Sequence, residues 1–360
     1  MPAPATPRPR RSTVEAGAAA APSAEGPLAS VSGGRGSLLP RERLDAAGRR
    51  VLDGAVPGEE ARRVLGVPTA MNPIRVYAGL GSAPSPLERV QLALTELERL
   101  GALERRRIVV ACPTGMGFLN PVAVEAEELM SAGDVATVVV QYGNRRSWRT
   151  RRRVPVGRET HRLLLDALAA RLRSTRGPVL AIYAESLGAW AALAALDGPE
   201  DLHRLGVGRG LWVGVPYDGR RHEQRVAPPG HDGFVRVGSA AELETLPPAR
   251  FTFLTRPDDP VHTFEGPRTI LAPPRERRPS GAWVPVLSFA RAVREIARAT
   301  DFTPGRLDSA GHDYRGELAA AIRSAFGHTG EIDASTLTRV QDELLAREQR
   351  RAGDADAVPA

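Results

Sequence analysis

The chain has 360 residues, enough for one large domain or two small ones, and 42% of them are apolar, an ordinary share for a globular protein with a sizeable core. Its formal charge is +7, yet every basic residue is arginine and the chain is rich in Ala, Gly and Pro. That combination reads as coding bias, and no zinc-ligand spacing, RNP-like aromatic pattern or recognition helix accompanies it, so nucleic acid is not an expected partner. The single cysteine, Cys112, excludes an internal disulfide and fits a reducing, cytoplasmic setting.

In chain order, residues 1–37 are Ala/Pro/Gly/Ser/Arg-rich with almost no periodic apolar positions, and read as a disordered tail. Arg10-Arg11 is not followed by an apolar h-region, so no secretory signal is expected. Residues 38–72 read as a helical preamble with Pro and Gly breaks. From Pro73 strands and helices alternate. Strands are expected at 74–78, 107–112, 135–141, 179–183, 211–215 and 251–254. Helices are expected at 86–100, 122–131, 158–173, 288–299 and 315–326. This order predicts an α/β fold, a mostly parallel sheet with helices on both faces, over 73–328. The Gly-, Pro- and charge-rich segment 218–248 is the expected cap or lid. Residues 329–360 read as a C-terminal helix and tail, with Leu337, Val340, Leu344 and Leu345 on one face. No stretch approaches ~18 consecutive apolar residues, so no integral membrane segment is expected.

The strongest local signal is Ala184-Glu185-Ser186-Leu187-Gly188. It follows the apolar run Val179–Tyr183 and precedes an Ala/Leu helix. A serine held on a sharp strand-to-helix turn needs small residues two positions away on each side, here Ala184 and Gly188. Such a turn lifts the hydroxyl above the end of the sheet. A nucleophilic serine needs a base and an orienting acid, in the chain order Ser, Asp/Glu, His. Asp258-Asp259, flanked by Pro257 and Pro260 after the strand at 251–254, offers two candidate acids. His312, led by Gly311 into the helix at 315–326, is the candidate base. An oxyanion hole needs the N–H of the residue after the serine, Leu187, and one from an earlier loop. Pro113-Thr114-Gly115-Met116-Gly117 supplies that loop, with Thr114 or Gly115 as donor.

Other titratable residues fit less well. The elbow points Glu185 away from the serine, toward a structural hydrogen bond. His262 shares the rim of the Asp258-Asp259 loop, and His222 and His231 sit in the expected lid. His161, His203 and His328 lack the late, glycine-led position of His312. No pair of histidines makes a metal site with nearby carboxylates, and no cofactor is expected. The run from Arg145 through Arg146, Arg149, Arg151, Arg152 and Arg153 follows a strand's carboxyl end, where α/β folds bind ligands. It reads as an electropositive rim for an anionic substrate, with Arg145, Arg149, Arg151 and Arg152 as its main members. A small-molecule or acyl-carrier-linked substrate, such as a phosphopantetheine or coenzyme A thioester, would suit it.

These motifs together resemble the catalytic domain of an actinobacterial α/β-hydrolase family whose longer members carry an N-terminal multi-pass membrane domain. The resemblance runs from about Pro73 to about Ala325. It rests on Pro73–Leu80, Glu96–Arg99, Pro113–Gly117, Gly133–Val138, Gln141-Tyr142, Glu185–Gly188, Leu211–Gly214 and Gly311–Tyr314. It implies an α/β-hydrolase fold and a Ser186/Asp259/His312 triad, with Asp259 rather than Asp258 because Asp259 opens the family's Asp-Pro-Val. The chain departs from the family in lacking a membrane domain and in the arginines after Gln141-Tyr142, where relatives are apolar. The expected function is a serine hydrolase of esters or thioesters working through an acyl-enzyme. The alternatives are an acyltransferase with the same triad and a non-catalytic binding protein of the same fold.

Overall fold

A computed structural model of the chain describes residues 27–144, 152–173, 177–265, 268, 284–298 and 302–356. Its strands are β1 (Ile74–Ala78), β2 (Arg107–Cys112), β3 (Val135–Val140), β4 (Val179–Glu185), β5 (Val207–Val213), β6 (Phe234–Val237) and β7 (Phe251–Leu254). The helices are α1 (Ala46–Asp53), α2 (Gly58–Leu65), α3 (Pro86–Arg99), α4 (Pro121–Met130), α5 (Val154–Leu172), α6 (Leu187–Ala194) and α7 (Pro199–Arg204). They continue with α8 (Arg220–Val226), the single turn α9 (Pro260–Thr263), α10 (Pro285–Arg298), α11 (Arg315–Ala325) and α12 (Ala334–Asp356). No helix among the described residues is long and apolar enough to cross a membrane.

The strands form one seven-stranded sheet in the order β1-β3-β2-β4-β5-β7-β6, and every pairing is parallel. The central strands are buried on both faces, which is why they read as unbroken apolar runs. Their alternation divides the core in two. Ile108, Val110, Ile182 and Trp212 pack with α3, α5 and α6. Val109, Ala111, Tyr183 and Leu211 pack with α1, α2, α4, α11 and α12 on the other face. The chain runs from β2 out to β3 and then returns to β4 on the other side of β2. This reversal opens a crevice between the carboxyl ends of β2 and β4, the place where such sheets bind ligands.

Local signals explain the helix starts. Ser85 caps α3 in a capping box with Glu88, and Pro86 fills the first position. α5 begins at Val154, four residues before the expected start, because Pro155 is tolerated in a first turn. Helix α4 carries three buried glutamates, each with its own basic partners. Glu125 meets Arg347 and Arg351 of α12, Glu127 meets Arg107 and His328, and Glu128 meets Arg75. These pairs pin the C-terminal helix and β1 to the sheet, so α12 is part of the body.

Two expectations are corrected. Residues 27–37, read as part of a disordered tail, are structured, and the rest of that tail lies outside the described residues. Val31 bridges Arg75, Ser32 N–H donates to Arg75 O at 2.9 Å, and Tyr77 N–H donates to Ser32 Oγ at 3.0 Å. β1 is the outer strand, and this segment covers its open edge. The segment 218–248 is not a lid over the sheet: it builds α8 against α6 and the edge strand β6 beside β7. The four residues of β6 lie among glycines and prolines and are only partly buried, so the pattern around them is weak.

Candidate active site

β4 ends at Glu185 and α6 begins at Leu187, leaving Ser186 alone on the turn. Its φ is +55° and ψ −126°, a region that non-glycine residues rarely occupy. Ser186 N–H donates to Val213 O at 2.9 Å and ties the turn to β5. A Cβ on Gly188 would collide with the carbonyl oxygens of Cys112 and Pro113. The first turn of α6 therefore rests directly on the end of β2, and only glycine fits there.

His312 Nε2 lies 2.9 Å from Ser186 Oγ, and His312 Nδ1 lies 2.7 Å from Asp259 Oδ2. Asp259 is completely buried and caps α9, accepting from Val261 N–H at 2.8 Å. Tyr314 Oη donates to the same Oδ2 at 2.7 Å and accepts from Arg256 N–H at 3.0 Å. Burial alone would raise the Asp259 carboxyl. The His312 charge, with hydrogen bonds from His312, Tyr314 and Val261, outweighs burial and holds it below the ordinary range. Burial likewise disfavours charge on His312, but the charge and hydrogen bond of Asp259 prevail and raise it. Gly311, at φ +57°, turns the loop that carries His312, and its N–H donates to Asp258 Oδ2 at 3.1 Å. Asp258 thus sits one step from the Ser186–His312–Asp259 line. It pairs with Arg256 at 3.0 Å.

Beneath this line Gly214, also at φ +57°, leaves room for two rings. A Cβ there would lie 2.9 Å from Tyr314 Cε2 and 3.0 Å from His312 Cε1. Glu185 faces away from Ser186 Oγ into the body, where Tyr183 Oη donates to it at 2.8 Å and Asn120 Nδ2 at 3.4 Å. Burial raises its carboxyl above the usual range. Asn120 also caps α4, so Glu185 links the elbow to the end of the Pro113–Asn120 loop. Tyr314, Gly214 and Asn120 are the residues that the sequence reading did not single out. The first two were visible only as members of the motifs Gly311–Tyr314 and Leu211–Gly214.

Leu187 is the first residue of α6, where a backbone N–H has no acceptor within its own helix. Thr114 differs from expectation. Its N–H donates to Phe118 O at 2.8 Å inside the loop, so it is already engaged. Gly115 is the remaining candidate, and its carbonyl packs so closely on Gly143 that a Cβ there would approach to 2.5 Å. Tyr77 Oη donates to Gly117 O at 2.9 Å and steadies the same loop.

The other candidates stand apart. Cys112 is buried, and burial pushes its thiol up. His161 is pushed down to about 4 by burial, and His328 belongs to the Glu127 cluster. His262 Nδ1 lies 2.7 Å from Val215 O. Among the described residues no group of three or more His, Cys, Asp or Glu could hold a metal ion. Of the arginine rim, Arg145, Arg149 and Arg151 lie outside the described residues. Arg152 is exposed in the turn that leads into α5.

The chain matches the Alpha/beta-hydrolase family over residues 74–339, most of its length, and belongs to that family. No curated protein and no solved structure matches it.

Proposed function

We propose that the protein is a serine hydrolase that cleaves esters or thioesters through an acyl-enzyme. The observation that carries this reading is the unbroken line from Ser186 Oγ through His312 to the buried Asp259, with steps of 2.9 and 2.7 Å. A serine hydroxyl is a weak nucleophile until an adjacent base accepts its proton. His312 Nε2 takes that proton as Ser186 Oγ bonds to the substrate carbonyl carbon. Asp259 holds the ring by Nδ1 and stabilises the imidazolium that forms. The carbonyl oxygen becomes an oxyanion and accepts from the Leu187 and Gly115 N–H groups, each such donor contributing about 3–4 kcal/mol in comparable sites. His312 then returns the proton to the leaving alcohol or thiol as its bond to the carbonyl breaks. Water attacks the acyl-serine with His312 again as base, which releases the acid and restores the serine.

Hydrolysis of a p-nitrophenyl ester and of an acyl thioester tests this reading. The wild type should show a burst of product, and Ser186→Ala should lose at least about three orders of magnitude in kcat. Equal turnover by the two proteins would overturn it.

A further inference from the structure

The two N–H groups assigned to the oxyanion come from different elements, Leu187 from α6 and Gly115 from the loop Pro113–Asn120. Their spacing decides whether both reach the same oxygen, since each donor acts only at hydrogen-bond distance from the developing charge. The loop is closed by its own backbone. Thr114 N–H donates to Phe118 O at 2.8 Å, and Gly117 N–H donates to Thr114 O at 2.8 Å. It therefore moves as one piece, and what fixes its ends fixes Gly115.

Both ends rest on the serine turn. At the start, the first turn of α6 lies so close that a Cβ on Gly188 would stand 2.7 Å from Pro113 O. At the finish, Asn120 Nδ2 donates to Glu185 Oε1 at 3.4 Å. Glu185 is the residue before Ser186. Its backbone leads into the nucleophile and Leu187, while its side chain holds the loop that carries Gly115.

Each polar atom in this group has one role. Glu185 is 7% exposed, Asn120 1% and Tyr183 2%, so an unmet donor or acceptor here would be costly. Tyr183 Oη donates to Glu185 Oε2 at 2.8 Å, which leaves Oε1 for Asn120. Asn120 Oδ1 accepts from Val122 N–H at 3.2 Å as the cap of α4, which leaves Nδ2 for Glu185. Serine and aspartate cap helices as well as asparagine does. Aspartate has no proton to give Oε1, and serine is shorter in reach. Asparagine at 120 meets both demands.

We propose that Glu185 and Asn120 are positioning residues for the oxyanion hole, and that their contact sets the distance between the Leu187 and Gly115 N–H groups. The inference rests on the hydrolase reading and adds to it two residues that act through the hole without touching substrate.

The test compares a p-nitrophenyl ester with its thionoester, in which sulfur replaces the carbonyl oxygen. Sulfur accepts hydrogen bonds weakly, so the ratio of the two kcat/KM values reports on the hole. Taken on one sample, that ratio does not depend on how much of the protein is folded. Asn120→Ser keeps a cap for α4 but loses the reach to Glu185. It should lower the ester-to-thionoester ratio by about tenfold, a displacement smaller than the ~1 Å that costs 10²-fold. The paired Glu185→Gln, Asn120→Asp protein exchanges donor and acceptor. Its new amide can accept from Tyr183 Oη and donate to the new carboxylate, which still caps α4, so the wild-type ratio should return. A ratio that Asn120→Ser leaves unchanged, with both rates falling alike, would assign the contact to packing and overturn the inference. So would a ratio that falls as far in the paired protein as in Asn120→Ser. Turnover that survives Ser186→Ala would remove the hydrolase reading itself, whereas Ser186-dependent turnover with an unmoved ratio removes this inference alone.

Discussion

Tyr314 Oη donates to Asp259 Oδ2 at 2.7 Å, the same oxygen that meets His312 Nδ1. One carboxylate oxygen thus serves two donors, while Oδ1 is held by the Val261 N–H. Asp259 cannot rotate without breaking all three bonds, so the imidazole plane is fixed from below.

Tyr314→Phe should lower kcat by roughly tenfold, the cost of one buried hydrogen bond to a charged group. It also makes the carboxylate more basic, which favours charged His312. The acid limb of kcat/KM should therefore move to higher pH. A fall in kcat with an unmoved limb would mean that the tyrosine only supports packing.

Asp259→Asn should move the same limb the other way. His312 is raised because Asp259 outweighs burial, and the base works only when neutral. Activity in the wild type should rise with pH through a midpoint above the ordinary imidazole range. Removing the charge leaves burial opposed only by the smaller effects of Glu185 and Asp313, so the midpoint should fall while kcat drops by about 10³–10⁴-fold. Asp258→Asn should cost much less, since Asp258 acts only through Arg256 and the Gly311 N–H. Rate–pH profiles of the three proteins decide it, and the opposite ranking would move the acid to Asp258.

Gly214→Ala should be severe for its size. The residue sits at φ +57°, which costs a non-glycine residue about 1–2 kcal/mol, and its new methyl would press on His312 and Tyr314. We expect a lowered Tm and a loss of about 10²-fold in kcat. Thermal melting and turnover together check this, and full activity at a lowered Tm would show that the rings shift harmlessly.

Much of this arrangement is legible in the sequence because the relevant strands are buried on both faces. Ile108–Cys112 and Val135–Val140 read as strands from composition alone, and the Ser186 turn is fixed by its small neighbours. β6 is not legible, since Phe234–Val237 is short and borders the sheet on one side only. Thr114 and Gly115 cannot be told apart in the sequence, because the choice depends on a bond inside the loop, to Phe118 O. The partnership of Tyr314 with Asp259 joins residues 55 positions apart and arises only when α11 docks.

The stability of the far end of the sheet should depend on pH through Glu127. Burial would raise this carboxyl, but His328 and Arg107 overcome burial and lower it. A lowered folded-state value stabilises the fold above the ordinary carboxylate range, and that contribution is lost as pH falls. Glu127→Gln should cost about 3–5 kcal/mol at neutral pH, because it leaves Arg107 and His328 buried without their anion. Urea unfolding of both proteins at neutral and acidic pH should show the difference shrinking in acid. A difference that does not vary with pH would assign the effect to packing.

Covalent labelling by a fluorophosphonate tests the central claim most directly. The reagent phosphonylates only an activated serine, and mass spectrometry of the digested protein locates the adduct. The account predicts one adduct, on Ser186, that is lost in Ser186→Ala and strongly slowed in His312→Ala. An adduct that persists in Ser186→Ala, or a wild-type protein that stays unlabelled while remaining folded, would contradict it.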